Sequence, residues 1–261
     1  MPWKGLTGLQ HVILTGIATA QAASLAAPTV PVLQGLTSLE VAQDSLSFLG
    51  AVAAPALCKL VCCADPAKGK LQTNLIAEAS AALVQGISQL QCLTSLTLRG
   101  RICDGQVLKA TSCLTALQHL ELCSLVKPCR DVGGLSVSSF AGFPASLTSL
   151  EVALKGPHNI RPLELSHLTV LQELKLQHQG SITASVLSGK SALRKLVLVG
   201  SQLLPAAGPS LSLQPFCELT RLEHLELAVA FEGEDVWMCC SKTWPPATSV
   251  AVPACVLHTP T

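Results

Sequence analysis

The chain of 261 residues contains no tyrosine, and aromatic residues make up only 3% of it, although 49% of its residues are hydrophobic. A core with so few aromatic side chains must be built from leucine, valine and alanine. The scarcity of aromatic residues also excludes a stacking platform for nucleic-acid bases. Charged residues amount to 13%, the net charge is +1, and no basic tract occurs, so electrostatic capture of nucleic acid is not supported.

Long apolar runs and paired cysteine motifs are also missing. No segment has 18 consecutive apolar residues, so the sequence predicts no transmembrane helix. Twelve cysteines are present, but none are spaced as CxxC, and the vicinal pairs Cys62-Cys63 and Cys239-Cys240 do not suggest a disulfide framework. We interpret most of them as reduced thiols, which favours an intracellular, cytoplasmic protein.

A secreted chain is the alternative for localisation. Lys4, the uncharged run after it and Ala20-Gln21-Ala22 resemble a signal peptide with its cleavage region, but Gln10 and His11 interrupt the apolar stretch. The two asparagines, Asn74 and Asn159, do not lie in Asn-x-Ser/Thr sites, so glycosylation gives no support for export.

One phrase recurs along the chain. It places apolar residues at intervals of three, three and two, and its best copies are LTALQHLEL from Leu114, LTVLQELKL from Leu168 and LTRLEHLEL from Leu219. A strong copy starts at Leu90 and weaker ones fill the rest, with last positions 21 to 36 residues apart. Such recurrence indicates a solenoid. The last positions of the ten copies are Leu14, Val41, Cys62, Leu98, Leu122, Val152, Leu176, Leu198, Leu227 and Val252.

On these phrases the chain resembles the leucine-rich-repeat family over nearly its whole length. The resemblance implies an α/β solenoid, a horseshoe with a parallel concave sheet and helical or irregular convex segments. We expect a single array over residues 1–261, with about ten irregular repeats, degenerate terminal repeats and no clear caps. Because exposed terminal coils normally need polar caps, we also expect that a capping module is missing.

The chain departs from the family at one turn position. Three residues after each strand the family usually has asparagine or cysteine, whose side chain satisfies backbone groups. Here only the last copy keeps such a residue, so an asparagine ladder is excluded and the turns must be bonded differently. The residues at this position are Ile17, Asp44, Asp65, Arg101, Leu125, Lys155, Gln179, Ser201, Ala230 and Cys255.

The repeat also predicts secondary structure. The alternation at the end of each copy, as in Leu120-Glu121-Leu122, is typical of a short strand with one buried face. Residues 71–90 have apolar residues at helical spacing and predict a helix. Glycine, proline and serine in 132–144 and 203–215 favour irregular or 3₁₀ crossings there.

Two motifs suggest chemistry but lack the context for it. Residues 184–191 loosely fit a phosphate-binding loop, yet Lys190-Ser191 leads into a strand instead of opening a helix, which favours a convex-side turn. Cys239, Cys240, Cys255 and His258 offer soft ligands for zinc, but their spacing matches no standard site, and Cys255 is explained as the turn residue of the last repeat. Without a GxSxG motif as well, we predict no enzyme, no cofactor and no metal.

The outward residues of the predicted strands are the candidate binding residues. Glu121 and Glu151 are expected side by side on neighbouring strands, with Lys175 next, forming the centre of a mixed-charge surface that binds a protein partner. The alternative is a charged face that serves only solubility. The predicted partner-binding residues are Arg99, His119, Glu121, Glu151, Glu173, Lys175, Lys195, His224 and Glu226.

The family resemblance implies non-catalytic protein recognition. Because no F-box-like or nucleotide-binding module accompanies the array, a scaffold is favoured, in the cytoplasm, the cytoskeleton or the ciliary axoneme. The alternatives are the substrate-recognition arm of a larger ubiquitin ligase or signalling protein, and a secreted receptor-type ectodomain.

Overall fold

The computed structural model describes part of the chain in two compact units. One unit contains Met1–Leu135 and Gly142–Pro144, and the other contains Ser136–Ala141 and Ala145–Thr261. The single array expected over 1–261 therefore stays a prediction. The described residues are 8–15, 33–42, 45–46, 49, 54–64, 73–100, 105–124, 142–154, 165–178, 181–204, 216, 218–231, 237–243 and 257–258.

The first unit contains five described strands that pair in chain order, and every pair is parallel. Each strand is separated from the next by a turn or helix, as the parallel arrangement requires. The strands are β1 (His11–Leu14), β2 (Ser38–Ala42), β3 (Lys59–Ala64), β4 (Ser95–Gly100) and β5 (His119–Ser124).

The second unit continues the same pattern and then departs from it. Its strands are β6 (Ser149–Leu154), β7 (Glu173–His178), β8 (Ser181–Thr183), β9 (Lys195–Leu204), β10 (His224–Phe231), β11 (Trp237–Thr243) and β12 (Leu257–His258). The parallel series is β6, β7, β9 and β10, and β8 pairs with the far end of β9. Both β11 on β10 and β12 on β11 are antiparallel.

Two α-helices are described, α1 (Thr73–Gln89) and α2 (Gly105–Ala110), together with 3₁₀ segments at Thr111–Cys113 and Ala184–Leu187. The helix predicted over 71–90 is confirmed as α1. This helix packs closely on Leu49, because a Cβ added at Gly86 would lie 2.9 Å from the Leu49 Cβ. Within the described residues, no helix combines the length and apolar character that crossing a membrane requires.

Strand register places the repeated leucines in columns. In the first unit Leu39, Leu60, Leu96 and Leu120 align across β2 to β5, and all are buried. The second unit has the same column at Leu150, Leu174, Leu196 and Leu225. Burial of each such side chain contributes about 1.5–3 kcal/mol. Within each unit, this register and burial confirm the predicted fold class, an α/β solenoid with a parallel sheet.

Tight turns bring the first two apolar positions inside in the described copies from Leu33 to Leu222. The Leu93 amide donates to the Leu90 carbonyl at 3.0 Å, and the Leu117 amide donates to the Leu114 carbonyl at the same distance. These bonds between residues three apart are typical of 3₁₀ geometry and turn both leucines toward the core. The degenerate first positions Ala54, Pro144 and Lys190 are buried in the same way.

A backbone ladder connects successive coils at the strand starts. The carbonyl of Cys58 accepts the amides of Thr94 and Ser95 at 2.9 and 3.0 Å, and the Thr94 carbonyl accepts those of Gln118 and His119 at 2.9 Å. The same double acceptance occurs at Gln10, Thr37, Thr148, Gln172 and Arg194. This ladder fixes the position of each strand's first outward residue relative to the next.

Several expectations from the sequence concern residues that lie outside the described ranges. The copy ending at Val252 lies outside the described residues, as do most of the turn positions predicted to lack an asparagine ladder. Of those positions only Ser201 and Ala230 are described, within β9 and β10. The irregular crossing expected from residue 203 is wrong at its start, because Leu203 and Leu204 pair with β8 as part of β9.

Candidate functional site

The outward side chains of the parallel strands, here called the exposed sheet face, form three rows in each unit. Alternation along each strand sends the leucines inward and the intervening residues outward. In the first unit the rows are His11, Ser38, Lys59, Ser95 and His119; Ile13, Glu40, Val61, Thr97 and Glu121; and Ala42, Cys63, Arg99 and Cys123. In the second they are Ser149, Glu173, Lys195 and His224; Glu151, Lys175, Val197 and Glu226; and Ala153, Gln177, Val199 and Ala228.

Arg99 on β4 and Glu121 on β5 form the ion pair of the first unit's face. The Arg99 Nε and Nη2 donate to one carboxylate oxygen, Oε1, at 3.1 and 3.0 Å. The other oxygen, Oε2, accepts the Thr97 hydroxyl at 3.3 Å. The hydrogen bond and charge of Glu121 raise the pKa of Arg99 above its ordinary value. Both carboxylate oxygens are thus engaged, and the guanidinium stays charged.

The thiol of Cys63 lies beside this pair. Burial raises its pKa, the charges of Glu40 and Glu121 raise it further, and the opposing effect of Arg99 is smaller than that of burial and Glu40. A raised pKa keeps the group as a thiol, and the thiolate is the nucleophilic form of cysteine. This site therefore does not favour covalent catalysis. The interior neighbour Cys62 is fully buried, as predicted for a residue in a leucine position.

Glu151 on β6 and Lys175 on β7 form the corresponding pair of the second unit. The Lys175 Nζ donates to the Glu151 Oε1 at 2.6 Å, and the two side chains are 37% (Glu151) and 36% (Lys175) exposed. Partial burial lowers the screening of this pair compared with a fully exposed one. The pair holds two charges of opposite sign on neighbouring strands.

The remaining charged groups on the second unit's face are more open. Glu173 Oε2 accepts the Ser149 hydroxyl at 3.4 Å, and His224 Nε2 lies 3.9 Å from Glu226 Oε2. Lys195 is exposed and forms no ion pair within the described part of the chain. This face therefore combines one close ion pair with ionisable side chains that are less tightly paired and could bind a partner.

Not every outward position is accessible. Thr97 and Val197 occupy the middle rows, yet they are buried at 7% and 3% exposure. Alternation along a strand assigns a side chain to a face but does not determine how much of it the neighbouring side chains cover. Neither residue offers much surface for binding.

The predicted partner-binding residues divide between the two units. The first unit brings together Arg99, His119 and Glu121 on β4 and β5, and the second brings together the other six on β6, β7, β9 and β10. The proposed adjacency of Glu121 and Glu151 would join the units and stays a prediction. The six are Glu151, Glu173, Lys175, Lys195, His224 and Glu226.

Sequence reasoning missed the outward residues of the first three strands. His11, Glu40 and Lys59 lie on the same face as Arg99, and His11 and Lys59 are exposed. The signal was present, because the weaker copies ending at Leu14, Val41 and Cys62 already assigned these strands.

Lys190 lies in the core and not on the face. It is fully buried, its Nζ is 3.4 Å from the Ser166 carbonyl, and burial lowers its pKa. It follows the 3₁₀ segment Ala184–Leu187 and leads into β9. The loose phosphate-loop motif therefore has its lysine enclosed, away from any approaching phosphate.

Potential metal ligands are scattered over the described part of the chain. No group of three or more His, Cys, Asp or Glu suited to a metal ion occurs among the described residues. Of the four zinc candidates, Cys239 and Cys240 lie in β11 and His258 in β12, whereas Cys255 lies outside the described residues.

Comparisons with known proteins give limited matches. No family model matches the chain, and no curated protein matches it. A solved leucine-rich-repeat protein of Leptospira interrogans is similar at 16% identity and a TM-score of 0.30, covering 84% of this chain. The match spans 58% of the length of that protein.

Proposed function

We propose that the exposed sheet face binds a protein partner without catalysing a reaction. The observation that carries the proposal is the presence of two cross-strand ion pairs, Arg99 with Glu121 and Lys175 with Glu151. They hold charges of both signs at fixed positions on parallel strands. Charges fixed before binding cost less conformational entropy when a partner docks, and they discriminate among partners by complementarity.

The regular geometry of the face supports this role. The backbone ladder fixes adjacent strands at about 4.8 Å, so outward groups have a constant spacing. Arg99 uses two of its five N–H donors on Glu121, which leaves donors for other acceptors. The same side chains can therefore keep their internal pair and still bind an acceptor on a partner.

The proposal is tested by exchanging the charges within each pair. A chain carrying Arg99→Glu, Glu121→Arg, Glu151→Lys and Lys175→Glu keeps opposite charges on each pair of strands but inverts the displayed pattern. We expect it to fold and to lose the partner that the wild-type chain recovers from its native cells, as measured by cross-linking and mass spectrometry.

A matched control exchanges a pair outside the strands. Arg194 and Glu223 lie just before β9 and β10 and form an ion pair at 3.0 Å. The Arg194→Glu, Glu223→Arg chain should retain the partner. Equal recovery by the face variant and the wild type, with both chains folded, would contradict the proposal.

The finer roles stay predictions from the family resemblance. A scaffold in the cytoplasm, cytoskeleton or ciliary axoneme, and the recognition arm of a ubiquitin ligase, would both use such a face. The identity of the recovered partner separates them, since a ligase arm would recover adaptor subunits and a scaffold would recover structural proteins.

A further inference from the structure

The strand starts of the first unit carry one lysine, two histidines and no acidic residue. Register aligns five outward residues, here called the strand-start row, across β1 to β5: His11, Ser38, Lys59, Ser95 and His119. The row therefore alternates nitrogen donors, which are two imidazoles and one ammonium, with hydroxyl groups. The basic side chains are exposed and the hydroxyl residues are half-buried.

Two acidic residues lie near the row, both on the middle row of the face. The residues just before the strands are uncharged, namely Gln10, Thr37, Cys58, Thr94 and Gln118. The two acidic residues are Glu121, which Arg99 holds in an ion pair, and Glu40, which is half-buried on β2. Lys59 forms no ion pair with any described residue. In the second unit the corresponding row contains Glu173, so the absence of an acidic residue is a feature of the first unit's row.

The row is also rigid. The amides of Ser38, Lys59, Ser95 and His119 all donate to the backbone ladder at 2.9 to 3.0 Å. His11 Nδ1 and the Ser38 hydroxyl lie 3.0 Å apart, within hydrogen-bonding distance. The backbone of the row is therefore fixed, so its side chains start at constant intervals, with hydroxyl groups between the nitrogen donors.

The spacing selects a conformation for the ligand. The basic residues lie on alternate strands, so they are about 10 Å apart for strands separated by about 4.8 Å. A polyproline II chain rises about 3.1 Å per residue and returns to the same face every third residue, or about 9.3 Å. An acidic residue at every third position of such a chain matches the row.

We infer that the strand-start row binds an extended acidic segment of a partner protein, with carboxylates about three residues apart. The inference rests on the proposed function and adds the chemistry of the partner. Carboxylates meet His11, Lys59 and His119, and the hydroxyl groups of Ser38 and Ser95 donate between them. Glu40, on the adjacent row, limits how far acidic residues extend along the strands.

The test uses the full chain and a fluorescent peptide of repeated Glu-Pro-Pro with three glutamates. We expect saturable binding in fluorescence anisotropy, weakened by added salt because the charges are exposed. A peptide with glutamine for glutamate should bind at least about tenfold more weakly, since its side chains carry no charge. Equal binding of the two peptides would overturn the inference.

Variants locate the binding on the row. Lys59→Glu should weaken binding of the glutamate peptide at least about tenfold, because an attraction becomes a repulsion. Lys59→Gln should weaken it less, and Glu40→Gln should strengthen it. The matched control is Lys109→Glu, which makes the same change on an exposed lysine of α2 and should leave binding within about twofold. Unchanged binding by a folded Lys59→Glu chain would overturn the inference.

The two proposals fail separately. If the face variant loses its native partner but the glutamate peptide does not bind, the acidic-segment inference is wrong and the proposed function stands. If the glutamate peptide does not bind and the face variant also retains its native partner, both proposals are wrong.

Discussion

Arg99 and Glu121 lie on neighbouring parallel strands, and two N–H groups of the guanidinium donate to a single carboxylate oxygen at 3.1 and 3.0 Å. The two side chains are 52% and 31% exposed. Solvent screens such a pair, so its contribution to stability is small even though its geometry is well defined. Its main effect is to fix the charges on the exposed sheet face.

Arg99→Ala should therefore leave the fold nearly intact. We expect the free energy of unfolding to fall by less than about 1 kcal/mol, because exposed ion pairs seldom contribute more. Urea denaturation followed by circular dichroism measures this. A loss above about 2 kcal/mol would mean that the pair is structural and would weaken its assignment to recognition.

Gly100→Ala should destabilise the first unit. Gly100 has φ of 90°, and a Cβ there would lie 1.9 Å from the Ala64 carbonyl oxygen. The left-handed conformation and the clash together cost on the order of 1–3 kcal/mol or more. Gly8→Ala is the control, because nothing lies within 4 Å of its added Cβ. Equal melting temperatures for both variants would refute the strand geometry at Gly100.

Two valines of the second unit test the core. Val152 on β6 is fully buried, whereas Val170 in a turn is 45% exposed. Val152→Ala removes two buried methyl groups and should cost about 2 kcal/mol, with an added cavity penalty. Val170→Ala should cost less than about 0.5 kcal/mol. The difference in urea midpoint between the two variants is the measurement, and no difference would contradict the assigned inward face.

Lys190→Leu should stabilise the second unit at neutral pH. Lys190 occupies a position that is leucine in other copies, and its buried ammonium has one long hydrogen bond, at 3.4 Å. Replacement of a poorly paired buried charge by an apolar side chain of similar volume removes a desolvation cost. The urea midpoint should rise, and a fall would show that the lysine has a structural role that leucine cannot replace.

The advantage of Lys190→Leu should depend on pH. Burial lowers the pKa of Lys190 in the folded state, so between the folded and unfolded pKa values the unfolded chain binds more protons. The stability of the wild type relative to the variant therefore rises with pH in that window. Unfolding at pH 7 and in the alkaline range should show the variant's advantage shrinking, and a constant advantage would contradict the burial of the amine.

Periodicity was sufficient to predict nine of the twelve described strands and their inward residues. The three-three-two spacing predicted nine strands that the structure contains, including those from weak copies such as the one ending at Cys62, because inward positions require only a small apolar group. The helix at Thr73–Gln89 followed from its apolar spacing. Antiparallel β11 was missed, since its pairing with β10 depends on a chain reversal that no repeat pattern encodes.

The candidate site was less predictable than the fold. Alternation assigned Arg99 and Glu121 to the same face, but their hydrogen bonds depend on side-chain conformations that the sequence does not specify. Burial of Val197 likewise depends on the surrounding side chains. The strand-start row could be predicted from the sequence, because the repeated phrase alone aligns His11, Lys59 and His119 at equivalent positions of their copies.

The most direct test of recognition by the exposed sheet face is covalent footprinting of the chain with and without its recovered partner. Carboxyl and lysine labelling, read by mass spectrometry, should show protection at Lys59, Glu151, Lys175 and Lys195, while Lys109 and Glu218 stay reactive. Protection confined to Lys109, Glu218 and the turns, with the sheet residues labelled equally in both states, would contradict recognition by the exposed sheet face.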